Sequence, residues 1–410
     1  MDFRPDARRM MPDAVMAEPA PQKPRAATGH TGSLAGEGQA GKGRRRVAAA
    51  GWTALVCAVF AAGCASGPPQ DAEPRAPIVF PPAPEEPRYV FEMSLLDSTQ
   101  VTVDPKKTRM RAWLTGESER GEGMAKPFDV TACKGIVYVS DTVKRRVLAF
   151  DFPRRRFFRI GEEEAGALLK PLGLASDASC NLYVADATQR KILVYDAEGR
   201  FRAAIGGPDA FRHLSHVAVD PGGARLYAVD TGGVDSRDHR IRVYDVASGA
   251  HLFDIGTRGT GDGEFNLPRD IAMGPGGDLY VVDGGNFRIQ VFSADGQFRR
   301  TFGSMGAQFG QFSRPKGIAA DGAGNVYVSD AAFGNFQIFD PEGRLLLFIG
   351  NRSAKPGPAN YMLPSGIHVD EDGRIYFVDQ FFRKVDIYRP VDLPAGEGNL
   401  ARVTAPDGKK

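Results

Sequence analysis

A core of Tyr, two residues and Asp recurs six times along the chain: Tyr138 with Asp141, Tyr183 with Asp186, Tyr227 with Asp230, Tyr280 with Asp283, Tyr327 with Asp330 and Tyr376 with Asp379. Successive aspartates are 45, 44, 53, 47 and 49 residues apart. Self-similarity at that period specifies solenoids, propellers or arrays rather than independent domains. A length of 410 residues would otherwise suggest two or three domains. Here most of the chain reads as one repeat unit.

Each core sits among three further short runs in fixed order. In the fourth copy the core DLYVVD stands with RDIAMGP before it and RIQVFS and QFRRTFG after it, separated by turn residues such as Pro275-Gly276-Gly277-Asp278 and Ala294-Asp295-Gly296. Short β-branched or aromatic runs between Gly, Asp and Pro turns are strands. One sheet of four such strands has two apolar faces and cannot cover both alone. Six arranged radially cover one another and leave only short edges. The predicted fold is all-β, a six-bladed β-propeller of four-stranded antiparallel blades.

The sixth copy ends at KVDIYRP without a fourth strand. The segment RYVFEMSL, residues 88–95, alternates apolar and polar residues and precedes the first copy. It is expected to supply the missing outer strand and close the ring. The propeller then spans 88–389, with 390–410 expected as a disordered tail.

The motifs carry a resemblance. Pro315-Lys316-Gly317-Ile318-Ala319, Gly324-Asn325-Val326-Tyr327-Val328-Ser329-Asp330 and Arg288-Ile289-Gln290-Val291-Phe292 are similar to the successive strands of NHL repeats. The similarity covers about residues 126–388. It implies a propeller scaffold whose relatives include ubiquitin ligases, RNA binders and metal-dependent lyases. The ligases rely on a Cys-rich zinc domain, which this sequence does not carry.

Ahead of the repeats, residues 44–64 run from Arg44-Arg45-Arg46 through an apolar stretch to Ala61-Ala62-Gly63-Cys64. A basic end, an apolar core and small residues make an export signal, and this one resembles a bacterial lipoprotein signal. The resemblance implies cleavage after Gly63, lipidation of Cys64, and a membrane-anchored protein facing the periplasm or the cell surface. Ala65 after the cysteine favours the outer membrane in a diderm cell. A single membrane-spanning anchor is the alternative. Residues 1–43 are expected to be disordered or a mis-assigned start, and Pro-rich 65–87 a tether. Beyond residue 64 the chain carries 43 Lys and Arg against 45 Asp and Glu, a net charge of −2. That balance argues against nucleic acid as the partner.

The repeated aspartates Asp141, Asp186, Asp230, Asp283, Asp330 and Asp379 are expected to serve the blades. An Asp at a strand end accepts turn amides or pairs with the basic residue opening the next strand. Residues that differ between blades are the informative ones. Just before the expected innermost strand stand Asp129, His216 and Asp270 in blades one, three and four, where the others have Gly173, Gly317 and Gly366. Arg269 and Lys316 precede that position in their blades. These five residues are expected at one mouth of the central channel, holding a ligand, a divalent metal such as Ca or Zn, or water alone. His368 departs from alanine at an inner position and reads as packing. The blade-three insert, with Asp235, Asp238 and His239, reads as a tolerated loop on the mouth face. Cys133 and Cys180 fall in turns of neighbouring blades on the opposite face, where a disulfide and two free thiols are both open.

No sequence motif for a serine nucleophile, a phosphate loop or a dinucleotide site is present. The expected function is a binding or scaffold module for a protein or cell-envelope component, acting as a monomeric propeller. A metal-dependent lyase or lactonase-like hydrolase is the alternative, with its site at the channel mouth.

Overall fold

A computed structural model describes residues 76–102 and 121–401. The signal, Cys64 and residues 1–75 lie outside the described residues. Among the described residues six antiparallel sheets form the blades, and Asn351–Arg352 pairs parallel with Asn360–Tyr361 in a small further sheet. Each blade runs from an innermost strand outward, as in blade four with Pro268–Met273, Leu279–Asp283, Arg288–Phe292 and Phe298–Phe302. The inner strands of the other blades are Pro127–Cys133, Pro171–Ser176, Leu214–Val219, Pro315–Ala320 and Pro364–Val369.

Apolar side chains from adjacent blades interleave to give six separate cores, one in each gap between blades. This is how a sheet with two apolar faces hides both. The second and third strands carry most of that burial, and Leu279–Asp283 is buried throughout. Outer strands alternate, as in Phe298–Phe302, because one face meets solvent. The outer strand leads into a left-handed glycine on which an aromatic ring from the following connector packs. A Cβ at Gly256, at φ 77°, would meet Phe265 at 2.4 Å, and one at Gly303, at φ 80°, would meet Phe312 at 2.3 Å.

The ring closes through blade six. Tyr89–Leu95 pairs antiparallel with Lys384–Pro390, from Tyr89 opposite Pro390 to Leu95 opposite Val385. Blade six is a five-stranded sheet, however, because Val79–Phe80 pairs with Val90 and Tyr89. The expected tether is therefore folded onto the propeller where it is described. Phe80 gains an edge contact with the Tyr388 ring at 5.6 Å, which is apolar surface a Pro-rich spacer would not bury.

The expected tail also differs as far as Ala401. Arg374 is fully buried. It bonds Glu92 and Asp372, each at 2.9 Å, and the Glu397 carbonyl at 2.5 Å. Leu400 packs against the core between blades six and one. A buried guanidinium with that many acceptors holds the closing strand, blade six and the C-terminal segment together.

Candidate functional site

Each Tyr-x-x-Asp aspartate is fully buried and acts as a clamp. Asp186 accepts the Leu169 and Lys170 amides ahead of its blade's inner strand, and the Thr188 and Gln189 amides of its own turn. Asp330 does the same with Ser313 and Arg314, and with Ala332 and Phe333. Asp141, Asp230 and Asp379 likewise receive paired amides entering the inner strand. The expected ion pair with the next strand holds for Asp283 with Arg288 at 2.9 Å and for Asp230 with Arg240 at 3.7 Å. Elsewhere the basic residue goes to other acids, Arg146 to Glu122 and Glu162 and Lys384 to Asp386.

Asp283 departs from this pattern. It takes the Asn266 amide, but the Leu267 amide goes to Nδ1 of His239 in the blade-three insert. The Nε2 of His239 lies 3.0 Å from the Gly233 carbonyl, so the ring is neutral at Nδ1 and protonated at Nε2. The insert thus ties blade three to blade four. Asp238 is held within the insert by Ser236.

The clamps fix where the inner strands begin, and so where the mouth residues lie. Asp129, His216 and Asp270 are not ahead of those strands but at their third position. There the pairing shifts register in every blade, as between Pro127 and Val130, Leu214 and Val217, and Pro268 and Ile271. A bulge leaves a backbone amide without a ladder partner. Asp129 Oδ2 accepts the Leu174 amide of blade two at 2.8 Å, and Asp270 Oδ2 accepts the Ile318 amide of blade five at 2.9 Å. Asp270 Oδ1 also accepts its neighbour's amide, from Ile271. The glycines make room for these side chains. A Cβ on Gly366 would stand 2.1 Å from Asp129 Oδ1, and one on Gly173 would stand 2.5 Å from the His216 Cα.

Serines complete the ring of bonds. Ser140 donates to the Leu172 carbonyl and accepts the Asp129 amide, and Ser329 donates to the Ser365 carbonyl and accepts the Gly317 amide. Ser365 donates to the Phe128 carbonyl. Ser140 and Ser329 precede the clamp aspartate in blades one and five, where other blades have Ala or Val. The same comparison between blades that singled out Asp129 would have found them.

This layer divides the channel. On one side is a cavity of about 130 Å³ lined by Asp129, Thr131, Ser176, Asp270 and His368 among others. His368 bonds the Ala132 carbonyl at 3.2 Å, and burial pulls its pKa down to about 4. On the mouth side is a pocket of about 350 Å³, to which all six inner strands contribute. His216, Arg269 and Lys316 line it, joined by Arg314, Phe128 and Phe287, which sequence reasoning missed. The Phe128 ring lies 5.4 Å from the His216 ring.

The electrostatics of the two sides differ. Burial pushes Asp129 up to about 7, with His216 opposing the rise and Asp270 adding to it. Burial likewise pushes Asp270 to about 7 against the amides of Ile318 and Ile271. His216 is held below its usual value by burial, with Asp129 opposing. On the mouth side, burial and then the charges of Arg314 and Arg269 lower Lys316 to about 8.

A divalent metal fits this arrangement poorly. Among the described residues no three His, Cys, Asp or Glu side chains are grouped to hold one. The Asp129 and Asp270 oxygens already accept amides, and the adjoining pocket is cationic, which opposes a second positive charge.

On the opposite face, Cys133 ends the inner strand of blade one and Cys180 lies in the first turn of blade two. They are joined by a disulfide with Cα atoms 5.6 Å apart.

The NHL repeat family model matches residues 265–292, the first three strands of blade four. No curated protein matches the chain. Among solved structures, a gluconolactonase from Xanthomonas campestris is 18% identical over 65% of this chain and 86% of its own, with a TM-score of 0.50. A protein of unknown function from Bacteroides thetaiotaomicron is 16% identical over 67% and 72%, with a TM-score of 0.51. Likenesses at these identities show the propeller fold alone.

Proposed function

We propose that this NHL-repeat propeller is an exported, lipid-anchored binding module that engages a protein or cell-envelope partner at the channel mouth. The observation that carries this reading is the mouth pocket, with two phenylalanines and polar groups that have no partner among the described residues, above carboxylates already engaged by amides. Concave sites with apolar walls and a few convergent polar groups are where proteins take ligands. The signal ending at Cys64 supports the anchor, and the near-neutral charge of the exported part supports a partner other than nucleic acid.

The competing reading is a metal-dependent lyase or lactonase-like hydrolase, which the likeness to a gluconolactonase brings in. The engaged carboxylates and the cationic pocket weigh against it. Two measurements on the full-length protein in detergent separate the readings. Metal analysis is expected to find no stoichiometric Ca or Zn. Metal found in the wild type and lost when Asp129, His216 and Asp270 are all changed to Ala would overturn the binding reading. Retention of an envelope component is expected to be lost in Phe287→Asp, with a melting curve to check that the blade-four and blade-five core against which Phe287 packs stays folded. Incorporation of labelled palmitate, abolished by Cys64→Ala, tests the anchor.

A further inference from the structure

We propose that the mouth pocket is an oxyanion site, in which Arg269, Arg314 and Lys316 receive the phosphate or carboxylate group of an organic ligand whose apolar part lies on Phe128 and Phe287. The proposal rests on the mouth being the binding site and narrows what binds there.

The cations come from two blades. Arg269 is the second residue of the blade-four inner strand, and Arg314 and Lys316 flank Pro315 at the start of the blade-five inner strand. None of the three pairs with a carboxylate among the described residues. Other arginines here do find partners, Arg225 with Asp295, Arg288 with Asp283 and Arg374 with Glu92. Three like charges at one pocket repel, and a half-buried Lys316 that feels the charges of the exposed Arg314 and Arg269 is a cost the fold retains. An anion in the pocket offsets it.

A second observation is independent of those charges. His216 lines the same pocket, is only 7% exposed, and its Nδ1 has no hydrogen-bond partner. A buried ring nitrogen without a partner is costly, and a ligand group placed there removes that cost.

The nearby acids do not cancel the field. Asp379 offsets part of the field at Lys316, less than Arg314 or Arg269 adds to it, and its oxygens accept the Met362, Leu363 and Phe382 amides rather than an ion pair from Lys316. Asp129 and Asp270 lie beneath with their carboxyls raised by burial, and Lys126 adds a further positive charge. A volume of about 350 Å³ admits one small organic anion or one displayed group of a larger partner. Guanidinium forks match phosphate and carboxylate geometry.

The test is calorimetric titration of the full-length protein in nonionic detergent with phenyl phosphate and with benzoate, using benzyl alcohol as the uncharged control. One site per chain is expected for at least one anion, weakened by added salt. Affinity is expected to fall roughly tenfold in Arg269→Gln, in Arg314→Gln and in Lys316→Met. The preferred probe distinguishes phosphate from carboxylate, and either supports the site. Absence of binding by both anions, equal binding of benzyl alcohol, or affinity unchanged in all three variants overturns the proposal. If the anions fail while Phe287→Asp still abolishes partner retention, only the ligand class is wrong. If both fail, the mouth is not the binding site. Melting curves for each variant exclude loss through unfolding.

Discussion

His239 Nδ1 accepts the Leu267 amide at 3.1 Å, joining the blade-three insert to the first residues of blade four. In other blades the corresponding amide goes to the clamp aspartate, so the insert has taken over part of a structural bond. His239→Ala leaves a partly buried amide without its acceptor. It is expected to lower stability by about 1–3 kcal/mol, read as a lower urea midpoint at unchanged slope. An unchanged midpoint would return the insert to the status of a free loop.

The Gly366 position faces Asp129 so closely that a methyl group cannot be added without displacing the carboxylate from the Leu174 amide. Gly366→Ala is expected to cost about 1–3 kcal/mol. The double variant Gly366→Ala with Asp129→Gly, which moves the room to the other side, is expected to recover part of that loss. Thermal melting of both variants checks it.

Cys133 and Cys180 are 47 residues apart in sequence and close a loop between blades one and two. Constraining a loop of that size contributes about 4 kcal/mol in the chain-entropy picture. Denaturation under reducing conditions is expected at a lower midpoint than under oxidising ones, and the double serine variant is expected to lose that dependence. Equal midpoints for the wild type would show that the bond adds nothing.

Asp129 and Asp270 hold their protons to about pH 7 in the folded protein, whereas an aspartate in the unfolded chain loses its proton near about pH 4. Between those values the folded state binds more protons. Their contribution is therefore full below the unfolded value and is lost as pH rises through about 7. His216 opposes this, because its lowered pKa makes the unfolded chain the better proton binder just below its usual value. Melting temperature is expected to fall from mildly acidic to mildly alkaline pH, and to fall less steeply in Asp270→Asn. A parallel slope in that variant would remove Asp270 from the account.

The blades and their closure were legible because the periodicity of Tyr-x-x-Asp is repeated and each strand alternates or is fully apolar. A missing fourth strand in the last copy identified Tyr89–Leu95 by elimination. The clamp role of Asp186 followed from its presence in every blade, though its four amide partners come from loops whose path no pattern specifies. The mouth was legible only as departures from the repeat. Asp129 and His216 stood out, yet their place inside a bulged strand depends on a register shift that a sequence does not display. Arg314 was hidden because it lies outside the aligned motif, and Phe287 because its turn varies from blade to blade. Val79–Phe80 was hidden by its prolines, which mask a strand that two backbone pairs are enough to make.

The pairing of Tyr89 with Pro390 joins a strand made before the first repeat to the last strand of the ring. Every other blade is assembled from neighbours in sequence and can form as it is synthesised, but this contact waits for almost the entire chain. Until residue 390 is available, Tyr89–Leu95 and the face of blade one lack their partner and present an open sheet edge. A chain cut short before Lys384 is therefore expected to lose closure of the ring rather than one strand alone.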